Sequence, residues 1–208
     1  AFFSVPNIVI QSAKNSLEKC VMAASSAAFN IEIFAYDVMN SFSQACTTFV
    51  GQNYGAGQLK RCRKTLFLCL IEDAVATAAA IGIVLLSGRF LLSIFNNDPA
   101  VIDLGYVRLV TIFFAYIFSM LYEVMSGYLR GFGLSLTPAI LTTLGVCGVR
   151  IVWIAAVFPK SRTFETIMTA YPVSLSLTAV LIFIALLIAH PSRRYASKFV
   201  TQKATDNN

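Results

Sequence analysis

The sequence is poor in charge and holds a single histidine. Of 208 residues, 12% are charged and 57% are hydrophobic. An ordinary soluble domain carries roughly 25% charged residues. Too little polar side chain is present to cover a core of this size in water, which excludes an ordinary soluble domain. His190 ends an apolar run beside Pro191, so it reads as a helix-end residue rather than a ligand, and a Ser-His-Asp nucleophile has no second histidine to draw on. The five cysteines show no metal-ligand spacing. Cys62 and Cys69 are seven apart, and Cys20, Cys46 and Cys147 stand alone among apolar or small residues. They read as reduced, small hydrophobic fillers. No glycine-rich turn is followed by the Lys-Ser/Thr pair that cradles nucleotide phosphates. Nothing here is an enzyme signature, and no cofactor is implied.

What is abundant is long apolar sequence, counted in spans of about 20 residues. Six segments emerge: a stump over 1–13, then 21–50, 66–86 ("LFLCLIEDAVATAAAIGIVLL"), 109–129 with an earlier start, 138–158 and 168–188. Asp98-Pro99 suits the start of the fourth and Thr137-Pro138 that of the fifth, since Asp caps a helix and Pro fits its first turn. The runs are too long and evenly apolar for barrel strands. The fold class is therefore all-α, a polytopic transmembrane bundle of six helices. "AFFSVPNIVIQS" opens inside an apolar segment without a basic n-region, so the expectation is a fragment whose first helix is cut, not a signal peptide.

The formal net charge is +6. In a soluble protein that would point to nucleic acid. Here most cations lie in short connections, so they read as membrane topology and no nucleic-acid partner is expected. One set of alternate connections holds Lys60, Arg61, Arg63 and Lys64, then Arg130, then Arg193, Arg194, Lys198 and Lys203, against the single acid Asp206. The other holds Lys14, Lys19, Arg89, Arg108, Lys160 and Arg162, offset by Glu18, Asp98, Asp103 and Glu165. The bias places the 51–65 loop, the 130–137 loop and the C-terminus in the cytoplasm.

Cations alone do not require "GQNYGAG". Gly51, Gly55 and Gly57 permit positive φ and close approach, and Gln52 and Asn53 can bond carbonyls left free at a helix end. The expectation is a tight, structured turn. Together with its flanks, "TTFVGQNYGAGQLKRCRKTL" resembles the loop after the second helix of each half in multidrug and toxic compound extrusion (MATE) transporters. "NIVIQSAKNS", "IFNNDPAVIDLGYVRL", "SGYLRGFGLSLTPAI" (with Arg130 and Gly131 in its Leu-Arg-Gly turn) and "LGVCGVRIVWI" resemble further family segments, in order. The resemblance implies that residues 1–195 form the C-terminal six-helix lobe of a twelve-helix transporter, followed by a polar cytoplasmic tail over 196–208. The implied partners are the N-terminal six-helix lobe of the same full-length protein, membrane lipid and small organic, mainly cationic substrates. The implied location is a bacterial cytoplasmic membrane.

Ionisable groups at bilayer depth are functional candidates by default. In "NIEIFAYDVMNSFSQ", about 100° per residue puts Asn30, Asp37 and Gln44 on one face and Glu32, Tyr36, Asn40 and Ser43 on another. Interhelical hydrogen bonding and a cavity wall are both open readings. Glu123 lies near the end of the fourth segment, and Arg150 past the middle of the fifth. As the apparent lone deep cation, Arg150 is expected to pair with Glu123, Glu32 or Asp37, either as a static ion pair or as a pairing that changes between states. Glu72 and Asp73 are expected to pair with Arg61, Arg63 or Lys64. Most aromatics read as packing, and Gly145 and Gly148 as sites of close helix approach.

The resemblance implies secondary active efflux of amphipathic, cationic drugs or metabolites by H⁺ or Na⁺ antiport. Glu123, Glu32 and Asp37 are the cation-coupling candidates. Asn30, Tyr36, Asn40, Gln44 and Tyr122 are the candidates for the substrate cavity. A flippase for lipid-linked precursors is the alternative and calls for a more cationic cavity. A non-transporting membrane scaffold is the third reading.

Overall fold

The computed structural model describes residues 19–161, 163–189 and 191. The expected stump over 1–13 and the tail over 196–208 lie outside the described residues. Five long helices follow in order: α1 (Lys19–Gly55), α2 (Leu59–Phe95), α3 (Pro99–Gly131), α4 (Leu136–Ala156) and α5 (Phe164–Ala189). No strand occurs among the described residues. Four of the helices, α2 to α5, are long and apolar enough to cross a membrane. The polar side of α1 keeps it out of that set, although it was read as a span. At 1.5 Å per residue the 37-residue α1 and α2 are each about 55 Å long, well beyond a hydrocarbon core of about 30 Å. The fold is an all-α polytopic bundle, with the expected count of six not matched among the described helices.

The helix ends follow from local chemistry. The Asp98 carboxylate accepts the Ala100 N–H at 3.0 Å and Pro99 opens α3, as the sequence suggested. Helix α4 starts at Leu136, two residues ahead of Pro138. The connection after α1 is shorter than expected. The helix runs through Gly51, Gln52, Asn53 and Gly55, and only Gly57 turns left-handed, at φ 70°. Gly57 N–H then donates to Tyr54 O and Gln58 N–H to Asn53 O, at 2.9 and 2.8 Å. This paired pattern closes a helix end with glycine just beyond it. The end of α3 repeats it: Gly133 at φ 81°, Gly133 N–H to Arg130 O and Leu134 N–H to Leu129 O. Arg130 and Gly131 therefore belong to the last turn of α3, not to a loop. The exposed Lys60, Arg61, Arg63 and Lys64 occupy the opening turns of α2.

Helix α3 is the axis of the bundle, packed against α1, α2 and α5. Its residues from Tyr122 to Leu129 are buried without a break. Close contact with α1 needs small residues. A methyl group at Gly127 would strike the Ser43 carbonyl, and one at Gly131 would sit 2.7 Å from Val50 Cβ. Helix α4 packs mainly on α5 and widens into a π-helical stretch over Thr143–Gly148. Gly145 meets Thr178 of α5 as closely as the sequence suggested, whereas Gly148 has open space beside it. Pro172 lies inside α5 and removes one hydrogen bond from its ladder.

Candidate functional site

The stripe Glu32, Tyr36, Ser43 of α1 turns inward and meets α3 in two polar clusters. In the first, Arg108 Nε donates to Glu32 Oε1 at 2.7 Å and Arg108 Nη2 to Glu32 Oε2 at 2.9 Å. Both residues are buried. This fork-to-fork pairing is the strongest geometry available to a guanidinium and a carboxylate. The Tyr116 hydroxyl reaches Glu32 O at 3.5 Å. Tyr171 of α5 lies under two guanidinium groups, its ring centre 5.5 Å from Arg108 Cζ and 4.3 Å from Arg150 Cζ. Arg150 Nε donates to Ser174 Oγ at 3.1 Å.

The second cluster lies nearer the glycine-capped end of α3. Tyr36 donates its hydroxyl to Glu123 Oε1 at 3.0 Å, and Arg130 Nη2 stands 3.9 Å from Glu123 Oε2. The same Arg130 nitrogen donates to Ser43 Oγ at 2.7 Å, and Ser43 Oγ donates to Glu123 O at 2.6 Å. The Thr47 hydroxyl donates to Gly127 O at 3.0 Å. These bonds tie α1 to α3 along the face where the glycines let them approach.

Each cluster opens onto a cavity. A cavity of about 280 Å³ is lined by Glu32, Tyr36, Tyr116, Tyr122, Arg150 and Tyr171, with Phe29, Ile33, Ile112, Ser119, Val146 and Leu175. A second, of about 460 Å³, is lined by Tyr36, Asn40, Tyr122, Glu123, Ser126 and Arg130 and by the α4 side, including Ser135, Pro138 and Thr142. Tyr36 and Tyr122 belong to both walls. The arrangement offers carboxylates of unlike tenure. Glu32 is gripped by two short bonds, while Glu123 takes the Tyr36 hydroxyl at 3.0 Å, with the Tyr122 hydroxyl beside it and a cation at the edge of ion-pair range.

A family model for MatE matches residues 1–155. The chain belongs to the MatE family. It is 32% identical over 126 residues to multidrug and toxin extrusion protein 1 of Homo sapiens and to the protein of that name of Pongo abelii. The match covers 60% of this chain and 22% of each relative, so the chain spans about a fifth of the length of the curated relatives it matches.

In this MatE chain, Tyr36, Asn40, Tyr122 and Glu123 meet around one cavity, and Glu32 and Arg150 around the other. Asn30, Asp37 and Gln44 do not join them. They sit on the exposed side of α1 and line neither cavity. Arg150 finds no carboxylate among the described residues; its partners are a hydroxyl and a ring face. The deep ion pair expected for it belongs instead to Arg108, assigned from sequence to a connection because it lies near the start of its segment. Helix α3 begins at Pro99, which carries Arg108 well inside the bundle. Nor do Glu72 and Asp73 meet Arg61, Arg63 or Lys64. The nearest spacing, eight residues, is about 12 Å along a helix. Glu72 is exposed, and Asp73, fully buried, takes the Thr77 hydroxyl at 2.8 Å. Asn53 bonds the Phe49 carbonyl at 2.7 Å, within the helix rather than at its end. Cys46, Cys62, Cys69 and Cys147 are buried, in keeping with their reading as fillers.

Proposed function

We propose that the full-length protein carrying this chain performs secondary active efflux of amphipathic, cationic drugs or metabolites, with inward movement of H⁺ or Na⁺ as the driving step. The observation that carries the reading is Glu123: a buried carboxylate on the wall of a 460 Å³ cavity, held by the Tyr36 hydroxyl and only loosely by Arg130. An acid so placed can take up a cation without first breaking a short ion pair. Glu32, clamped by Arg108, serves structure first. The family and the names of the relatives support multidrug extrusion as the class of transport, which makes the protein a transporter and not an enzyme.

In this reading residues 1–195 form the C-terminal lobe, and the N-terminal six-helix lobe of the same protein covers the exposed polar face of α1 with Asn30, Asp37 and Gln44. The glycine-capped turns after α1 and α3 face the cytoplasm with Lys60, Arg61, Arg63 and Lys64, and residues 196–208 form a tail on that side. The membrane is a bacterial cytoplasmic one. The test is accumulation of a fluorescent organic cation in cells stripped of their own efflux pumps. The full-length protein should lower accumulation, and collapse of the proton gradient at fixed sodium, or removal of sodium at a fixed proton gradient, should restore it. Accumulation equal to empty vector across a broad panel of cations, with the protein in the membrane, would overturn the reading.

A further inference from the structure

The cavity beside Glu32 has more positive than negative charge built into its surroundings. Arg108 and Arg150 both meet the Tyr171 ring, and among the described residues Glu32 is the one carboxylate paired there. Both Glu32 oxygens are engaged by the Arg108 fork, and no hydrogen bond or ion pair links Glu32 to Arg150. Glu123 in the adjoining cavity has Arg130 as its own counter-charge. Arg150 is nine-tenths buried and lines the cavity, and Ser174 occupies only its Nε. Its terminal nitrogens make no hydrogen bond to a described residue and reach the cavity, and Arg108 Nη1 is a buried nitrogen without an acceptor among the described residues. An uncompensated buried guanidinium is costly, and a bound anion offsets that cost.

We propose that this 280 Å³ cavity is a subsite for the carboxylate of a small aromatic acid, or of a substrate that carries such a group, with Arg150 as the residue that holds it. The two terminal nitrogens of a guanidinium match a carboxylate in a planar fork. Tyr116, Tyr122 and Tyr171 supply ring faces and edges for the body of the ligand, and Phe29, Ile33 and Leu175 supply apolar wall. The surplus of one cation favours a monoanion over a pyrophosphate. The proposal goes beyond the transport reading, since its ligand is an anion and not one of the cations proposed as cargo, and rests on that reading only in taking the cavity as one that small organic molecules enter.

The test is equilibrium binding of naphthoate to the purified full-length protein, compared with naphthamide, its neutral isostere. The acid should bind at least about tenfold more tightly than the amide, the scale of one hydrogen bond to a charged group. Arg150→Gln should remove that preference, and Arg150→Lys should keep part of it. Equal binding of acid and amide by the wild-type protein would overturn the proposal whether or not the variants fold, and so would an unchanged preference in well-folded Arg150→Gln. Displacement of naphthoate by an equal concentration of inorganic pyrophosphate would overturn the carboxylate assignment. Because binding is read without transport, a protein that fails to export cations can still bind the acid, and the two readings fail separately.

Discussion

Arg108 and Glu32 face each other across α3 and α1 with both guanidinium and carboxylate forks engaged, at 2.7 and 2.9 Å, almost out of reach of solvent. Removal of one partner strands the other charge, which costs about 3–5 kcal/mol in buried pairs. Arg108→Met or Glu32→Leu alone should therefore lower thermal stability in detergent strongly. The double replacement should recover most of the loss, as an apolar pair does in other interiors. A double variant no more stable than the worse single one would show that the pair is not the seat of the effect.

Glu123 separates coupling from folding. Glu123→Gln keeps an oxygen to accept the Tyr36 hydroxyl, so the protein should remain monodisperse. Gradient-driven efflux should fall at least about a hundredfold, the lower range for loss of a working proton-transfer group. Intact efflux by well-expressed Glu123→Gln would reduce Glu123 to a structural role.

Ser43 joins α1 to α3 within the second cluster, donating to Glu123 O and accepting from Arg130. Ser43→Ala leaves the guanidinium one acceptor short, at a cost of about 1–3 kcal/mol. A clear drop in melting temperature is expected, whereas Thr48→Ala, on the exposed side of α1 with only its own helix carbonyl bonded, should shift it little. Equal shifts in the two would count against the interhelical role of Ser43.

The glycines of the conspicuous polar stretch divide by position. Gly55 is helical with open space beside it, so Gly55→Ala should be neutral or stabilising by up to about 1 kcal/mol. Gly57 is left-handed, and Gly57→Ala should cost about 1–2 kcal/mol. Gly127→Leu has no room against the Ser43 carbonyl and should prevent recovery of folded protein. Melting curves of the Gly55 and Gly57 variants and the folded yield of the Gly127 variant decide the assignment, and a destabilised Gly55→Ala would refute it.

Much of this was legible in the sequence where one helix carries the whole pattern. The stripe Glu32, Tyr36, Ser43 follows as a shared face from about 100° per residue, and the start of α3 follows from Asp98-Pro99. What crosses between helices was not legible. Nothing local says that the Tyr171 ring of α5 meets both Arg108 and Arg150, or that Ser174 rather than an acid holds Arg150. Charge counting misplaced Arg108 because that rule treats a cation near a segment end as part of a connection. The glycine stretch misled in length, since glycine permits a turn without requiring one, and hydrogen bonding carried α1 on to Gly55. The polar face of Asn30, Asp37 and Gln44 was visible as a face, but periodicity does not say which of two polar faces a bundle turns inward.

The stitched contact of α1 with α3 also governs where the molecule can bend. Ser43 bonded to Glu123 O, Thr47 to Gly127 O and the glycine seam beneath them make these two helices behave as a single beam. Helices bend where their ladders are already interrupted, at prolines and π-helical turns. In this bundle those joints are Thr143–Gly148 and Pro172, on the two helices that supply Arg150 and Tyr171. Flexing there would carry one wall of the cavity past the opposite wall, with Arg150 on the pliable half and Glu32 and Glu123 on the braced one.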